Sequence, residues 1–224
     1  MRVPPYTCVL WDVDGTIADA SAGILPRLAE VFDSFGLPAP PVAELSQWIG
    51  PPMFESFRER GGMSAEDAHI AVRRYRELAA RDGYAASVRI YPGVVEALRA
   101  VKAAGIPQAT ASSKPENQVL AILEHYSLLD DFVIVAGALP DAAGLHDGKE
   151  AVLRRALDRL SGAGVDVSRP VLIGDRLHDI EGAEPLGVPV IFVTWGFGEP
   201  GESDGSVAVA STTEELLGIL LPRG

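Results

Sequence analysis

The chain has 224 residues, 47% of them hydrophobic and 22% charged, a composition typical of a globular protein rather than a disordered one. Its formal net charge of −12 argues against nucleic-acid binding and against attraction to an anionic membrane, because both depend on lysine and arginine. The single cysteine, Cys8, excludes an intrachain disulfide and a cysteine-rich zinc site. We see neither a membrane span nor a signal peptide in the sequence, and we expect a cytoplasmic protein.

Short apolar stretches alternate with longer helix-like segments along most of the chain. The apolar stretches predict buried strands at residues 8–11, 106–111, 132–136, 171–173 and 188–193. Helical patterns predict helices at 94–104, 115–126, 149–160, 179–186 and 212–220. Because strand and helix alternate regularly, we predict an α/β protein with a Rossmann-like parallel sheet core that is covered on both faces.

One long stretch interrupts this alternation, because residues 18–90 contain no convincing strand. Helices are predicted in it at 24–35, 42–49, 53–60 and 65–81, separated by turns rich in glycine and proline. The pattern indicates an all-helical domain inserted after the first strand. We therefore predict a core domain formed by residues 1–17 and 91–224 and a helical domain formed by residues 18–90.

The first residues that suggest chemistry follow the first strand directly, in the sequence Asp12-Val13-Asp14-Gly15-Thr16. Ligand sites of open parallel sheets lie at the carboxyl ends of the strands, and two carboxylates in a tight loop there can flank one small object. Ionised carboxylates this close repel each other, so they need a cation or a shared proton. Taken alone, the five residues are also compatible with an ordinary turn.

The same five residues resemble the first motif of the haloacid dehalogenase superfamily, whose members are mostly phosphatases. The resemblance implies that a serine or threonine motif ends the next core strand. Ser112-Ser113-Lys114-Pro115 stands there and resembles the corresponding segment of the phosphoglycolate phosphatase branch. Matching its Lys-Pro pair makes Ser112 the motif hydroxyl, with Thr110 as the alternative.

Two further motifs follow in the order that the resemblance implies. Lys149 opens the helix after the third predicted strand, where the family usually places a lysine that holds the phosphate; Lys114 is the alternative. Gly174 and Asp175, with Asp179 four residues after Asp175, follow the fourth predicted strand and resemble the family's Gly-Asp-x-x-x-Asp motif. Each motif alone is compatible with a loop or a helix start, whereas four in order support the family.

The resemblance implies a phosphatase that works through an aspartyl-phosphate. Asp12 is then the nucleophile, and Asp14 protonates the leaving oxygen and later deprotonates water. Ser112 and Lys149 complete the implied catalytic set, and the residues that bind the substrate phosphate are Ser112, Ser113 and Lys149.

A magnesium ion is the implied cofactor, because it is a hard cation that prefers oxygen ligands. Its implied ligands are Asp12, Asp14 (through the backbone carbonyl), Asp175 and Asp179, with Asp179 acting through water or by orienting Lys149. The helical domain matches the family's small cap, which closes over the substrate.

The implied partner is a small phosphorylated metabolite such as phosphoglycolate, a sugar phosphate or a nucleoside phosphate, and the protein is expected to be a monomer or a small homo-oligomer. A sugar phosphomutase of the β-phosphoglucomutase type remains an alternative. From a different class, so does a phospho-accepting signalling protein or a non-catalytic regulatory protein. Arg27, Arg58, Arg60 and Arg89 are candidates for substrate contacts, with a plain surface role as the alternative.

Overall fold

A fully buried apolar strand, Cys8–Trp11, lies inside a five-stranded parallel sheet in the computed structural model, which describes residues 5–139 and 147–221. Residues 1–4, 140–146 and 222–224 lie outside the described residues. They include both ends of the predicted core domain. The strands are β1 (Cys8–Trp11), β2 (Ala18–Asp19), β3 (Arg89–Ile90), β4 (Gln108–Thr110), β5 (Ser112–Pro115), β6 (Gly137–Ala138), β7 (Pro170–Gly174), β8 (Val190–Val193) and β9 (Ala208–Ala210).

Helices cover both faces of the main sheet, whose strand order is β4-β1-β7-β8-β9. The helices are α1 (Ser21–Ser34), α2 (Val42–Leu45), α3 (Met53–Glu55), α4 (Ala65–Asp82), α5 (Val94–Ala103), α6 (Glu116–His125), α7 (Lys149–Gly162), α8 (Leu177–Ala183) and α9 (Thr213–Leu220). Side chains of β1 alternate between two apolar cores. Val9 and Trp11 belong to the core that includes α5, α6 and α9, and Cys8 and Leu10 belong to the core under α7 and α8. The predicted α/β fold with a parallel sheet is therefore confirmed.

The predicted strand at 132–136 is wrong in its detail. Only Ile134 pairs there, in an isolated bridge with Ala109, and the regular strand is β6, which pairs with β5. Thr110 explains the interruption, since its hydroxyl accepts from the N–H of Ala136 and donates to the carbonyl of the same residue, both at 2.9 Å. The Thr110 side chain thus hydrogen-bonds backbone groups of Ala136 that would otherwise pair with a neighbouring strand. The sequence also missed β9, a short edge strand whose first two residues are partly exposed.

The inserted stretch is helical, with one difference from the prediction. Its ends form a two-stranded antiparallel pair, β2 with β3, which the sequence missed because each strand has two residues. After α2 and α3 the chain continues in a 3₁₀ turn and a π-helical turn, where longer α-helices were expected. Phe32, Trp48 and Phe57 pack together in its interior, with ring centroids 5.3–6.2 Å apart.

The division of the chain into two domains stays a prediction, since one apolar core runs from the sheet into the helical insert. Across residues 5–139 and 147–221, we find no helix with the length and hydropathy that crossing a membrane requires.

Gln108, the first residue of β4, is a buried polar side chain that joins three segments. Its Oε1 accepts from Trp11 Nε1 (3.0 Å), and its Nε2 donates to the carbonyls of Leu98 (2.9 Å) and Asp131 (3.1 Å). Gln108→Leu leaves these partners buried and unpaired, so we expect a loss of about 2–3 kcal/mol in the free energy of unfolding. Urea unfolding of the two proteins measures it, and a change below about 0.5 kcal/mol would contradict this account.

Candidate active site

The carboxyl ends of three neighbouring strands bring the predicted site residues to one edge of the sheet. Asp12 directly follows β1, Ser112 lies two residues beyond the end of β4, and Asp175 directly follows β7. The backbone N–H of Asp12 still donates to the carbonyl of Ile173 at 2.9 Å, so the strands remain paired where the polar residues begin. The site is therefore fixed by the sheet itself rather than by a long loop.

Lys149, the first residue of α7, holds two of the predicted carboxylates. Its Nζ lies 2.7 Å from Asp12 Oδ1 and 2.6 Å from Asp179 Oδ1, and it also donates to the carbonyl of Ala111 at 2.8 Å. Burial alone would lower the pKa of Lys149, but the two carboxylates outweigh it and raise the pKa. Lys149 is thus a permanent positive charge beside Asp12.

A second lysine stands beside the second motif aspartate. Lys114 Nζ lies 2.9 Å from Asp14 Oδ2, and both side chains are at most one-tenth exposed. The other carboxylate oxygen, Oδ1, is buried and accepts no hydrogen bond from the described residues. The two lysines that the sequence offered for one role therefore have different partners, Lys149 on Asp12 and Lys114 on Asp14.

Asp175 is enclosed by backbone and by a hydroxyl that sequence reasoning did not single out. Thr16 Oγ1 donates to Oδ1 at 3.1 Å, and the N–H of Phe197 donates to Oδ2 at 2.7 Å. A Cβ on Gly15 or on Gly196 would come 2.0 or 2.2 Å from Oδ2, so only glycine fits at either position. Gly15 also has φ +92°, a conformation that favours glycine.

Three buried carboxylates, those of Asp12, Asp175 and Asp179, offer oxygen atoms that all lie within 4.8 Å of one another. Burial raises the pKa of Asp175 well above its usual range, and the neighbouring Asp179 and Asp12 raise it further. Such a cluster favours a bound cation, which would stabilise the ionised forms. The side chain of Asp14 is not part of this group, and a role for its backbone carbonyl stays a prediction.

Two of the three predicted hydroxyls face the site. The Ser112 hydroxyl acts to lower the pKa of Asp12, whose overall pKa burial raises, and it accepts from the backbone N–H of Lys114 at 3.2 Å. Ser113 Oγ lies 3.1 Å from Nε2 of His178, a residue that the sequence analysis did not single out. Thr110 is fully buried and bonds backbone instead, so the structure places Ser112, not Thr110, beside Asp12.

Three of the four candidate arginines form hydrogen bonds or ion pairs with other residues of the insert. Arg27 is buried and forms an ion pair with Asp82 at 2.9 Å. Arg58 donates to a backbone carbonyl and Arg60 to a glutamine side chain. Arg89 lies exposed on β3. The surface or structural alternative therefore describes them better than substrate contact.

Arg176, next to Asp175, links the site to the insert and was missed by sequence reasoning. Its guanidinium donates to the carbonyl of Ile49 (Nη1, 2.6 Å) and to the carboxylate of Glu202 (Nε, 2.9 Å). A Cβ on Gly50 would come 3.1 Å from its Cγ, so the Gly-Pro-Pro turn of the insert packs directly on this side chain. No local pattern signals contacts that span more than a hundred residues.

Comparison with known proteins agrees with this geometry. A sequence profile described as Haloacid dehalogenase-like hydrolase matches residues 9–193, which contain every predicted site residue. The chain belongs to this family. The resemblance drawn from the four motifs and the expected class of enzyme, a hydrolase of the phosphatase type, are thereby confirmed.

Relatives of this haloacid dehalogenase-like hydrolase carry several names. It is 34% identical to the Tyrosine-protein kinase PtkA of Mycobacterium tuberculosis, over 93% of this chain and 70% of that protein. It is 32% identical to a 5'-nucleotidase of Pseudomonas aeruginosa, over 88% and 86%, and 31% identical to a phosphoglycolate phosphatase of Caulobacter vibrioides, over 85% and 80%. A crystal structure of a predicted phosphatase from Clostridium acetobutylicum superimposes with a TM-score of 0.85 at 30% identity, over 94% and 96% of the chains.

Removing the Arg176 contacts is expected to destabilise the hydrolase. Arg176→Met leaves the carbonyl of Ile49 without this donor and the partly buried Glu202 without its cation, and we expect a loss of about 2–3 kcal/mol in urea unfolding. Arg154→Met is the matched control, because its pair with Glu150 is about half exposed and worth about 0.5 kcal/mol or less. Equal losses in the two variants would show that Arg176 does not hold the insert on the core.

Proposed function

We propose that this hydrolase is a Mg²⁺-dependent phosphatase that cleaves small-molecule phosphate monoesters through an aspartyl-phosphate on Asp12. The observation that carries the proposal is the buried carboxylate of Asp12, which Lys149 holds and which lies beside Asp175 and Asp179. The catalytic and metal-binding roles below belong to this proposal.

The residues present fit a magnesium ion. Asp12, Asp175 and Asp179 offer only carboxylate oxygens, which Mg²⁺ prefers, and a single lysine cannot neutralise all three. Asp12 and Asp175 would hold the ion together with the backbone carbonyl of Asp14, and Asp179 would support it while it orients Lys149. A bound Mg²⁺ supplies positive charge that offsets the carboxylates and attracts the phosphate oxygens.

The first step transfers the phosphoryl group to Asp12. A carboxylate oxygen of Asp12 forms a bond to phosphorus while the ester bond breaks, and Lys149 orients the carboxylate by holding Oδ1. The proton that the leaving alkoxide needs comes from Asp14. Ser112, Ser113 and Lys149 bind the transferring phosphoryl oxygens and stabilise their charge.

The second step returns the enzyme to its starting state. Asp14 takes a proton from water, the water oxygen attacks the phosphorus, and the bond to Asp12 breaks to release inorganic phosphate. Asp14 is suited to both steps because it is buried close to Asp12 and its Oδ1 has no partner among the described residues.

The proposed substrate is a phosphorylated metabolite, as expected from the sequence. The protein acts in the cytoplasm as a monomer or small homo-oligomer, with neither nucleic acid nor membrane as a partner. Relatives named for phosphoglycolate and for 5'-nucleotides support small phosphate monoesters. One relative is named a tyrosine-protein kinase, so the test must also detect transfer of the phosphoryl group to an acceptor other than water.

A screen of phosphorylated metabolites tests the proposal. With Mg²⁺ we expect release of inorganic phosphate from at least one small monoester, and we expect excess chelator to abolish it and re-added Mg²⁺ to restore it. Full activity in chelator would contradict the metal role. Transfer to a second hydroxyl of a hexose phosphate, with little free phosphate, would favour the mutase, and a stable phosphoenzyme without turnover would favour the signalling protein.

Replacing each lysine separates their roles. Lys149→Ala removes the charge beside Asp12, and we expect turnover to fall on the order of 10²–10³-fold in a folded protein. Lys114→Ala should be less affected, since Lys114 contacts Asp14 instead. Lys102→Ala is the control, because that lysine is half exposed on α5. Near-normal turnover of Lys149→Ala together with loss in Lys114→Ala would assign the phosphate-holding role to Lys114.

A further inference from the structure

A small, mainly apolar cavity lies between the helical insert and the core of the protein. Its volume is about 60 Å³. From the insert it is lined by Met53 and Phe54 of α3 and by Val72 and Tyr75 of α4, and from the core by residues that include Ser113 and Pro115. The wall is therefore formed mainly by two aromatic rings and several aliphatic groups, together with the polar side chains of Arg76, Ser113 and Gln118.

Two side chains connect this cavity to Asp14. Tyr75 lines the cavity, and the negative charge of Asp14 adds to burial in raising the pKa of its phenol. Lys114, which follows the cavity-lining Ser113, is the residue whose Nζ lies 2.9 Å from Asp14. The proton donor must stand on the leaving-group side of phosphorus. The alcohol part of the substrate would therefore extend into this cavity.

The size and chemistry of the cavity restrict what can enter it. One water needs about 10–15 Å³ by this measure, so the space accepts roughly four to six non-hydrogen atoms. None of the nine described residues that line it is acidic, and the two most polar ones, Arg76 and Gln118, also line a larger neighbouring opening. Five of the nine lining residues are apolar, namely Pro52, Met53, Phe54, Val72 and Pro115, and a charged carboxylate placed against them would lose its hydration.

We infer that the preferred substrate is a phosphate monoester whose alcohol carries a compact, uncharged ring or branched hydrocarbon group that fills this cavity. The inference rests on the proposed phosphatase function and narrows its substrate class. Phosphoglycolate, whose alcohol carries a carboxylate and no apolar group, is then a poorer substrate than a monoester with a ring.

Benzyl phosphate and ethyl phosphate form a matched pair for testing it, because both release a primary alcohol and differ mainly in the ring. We expect kcat/KM for benzyl phosphate to exceed that for ethyl phosphate about tenfold or more, the range that apolar pockets give. Phosphoglycolate should do no better than ethyl phosphate. Equal kcat/KM for the benzyl and ethyl esters would overturn the inference.

Filling the cavity should abolish the preference. Val72→Phe places a ring in the space, so we expect kcat/KM for benzyl phosphate to fall to about that for ethyl phosphate, whose own value stays within about threefold. Val207→Phe is the control, since Val207 is 57% exposed and is not among the residues that line the cavity. Phe54→Ala removes a wall and should also reduce the benzyl preference if Val72→Phe does not fold. Equal loss for both esters in Val72→Phe would contradict the assignment.

Affinity separates failure of this inference from failure of the proposed function. Benzylphosphonate and ethylphosphonate cannot be hydrolysed, and calorimetry with Mg²⁺ present gives the Kd of each. Benzylphosphonate binding about tenfold tighter, without phosphate release from any ester of the screen, would support the cavity and reject the phosphatase. Equal Kd values would reject the cavity whether or not the esters are hydrolysed.

Discussion

The site depends on one constraint. Carboxylates that repel one another are buried together at the carboxyl end of a parallel sheet. Asp12, Asp14, Asp175 and Asp179 are all at most 7% exposed, and the lysines that contact them are Lys114 and Lys149. Four carboxylates facing two lysines leave an excess of negative charge in a place with little water. In the proposed function, that excess favours a divalent cation, which would then attract the phosphate of an anionic substrate.

The protein meets this constraint by placing backbone against the charged groups. A Cβ on Gly174 would come 2.4 Å from the Asp179 carboxylate, and one on Gly182 would come 2.5 Å from Lys149 Cγ. Asp179 also accepts from the backbone N–H groups of Asp175 and Arg176 at 3.1 and 3.0 Å. Close packing of this kind holds the carboxylates in position before any substrate arrives, which reduces the cost of reorganisation during phosphoryl transfer.

Much of this arrangement could be predicted from the sequence, because it depends on local order. A buried strand followed by Asp12 and Asp14 predicts where the carboxylates lie once the sheet is parallel, and the motif resemblance singled out Lys114 and Lys149. Contacts that depend on tertiary folding could not be predicted. The partners of Arg176 come from distant loops, and the interruption of the strand near 132–136 depends on one hydroxyl, that of Thr110. The different partners of the two lysines, Asp12 for Lys149 and Asp14 for Lys114, also depend on three-dimensional placement.

The chemical identity of the phosphorylated residue tests the central claim most directly. The protein is mixed with a substrate from the screen and quenched in acid within one turnover, and the phosphorylated peptide is identified by mass spectrometry. The account predicts acyl phosphate on Asp12, none in Asp12→Asn, and none on Asp14, Asp175 or Asp179. Phosphate on any other residue, or labelling that persists in Asp12→Asn, would contradict it.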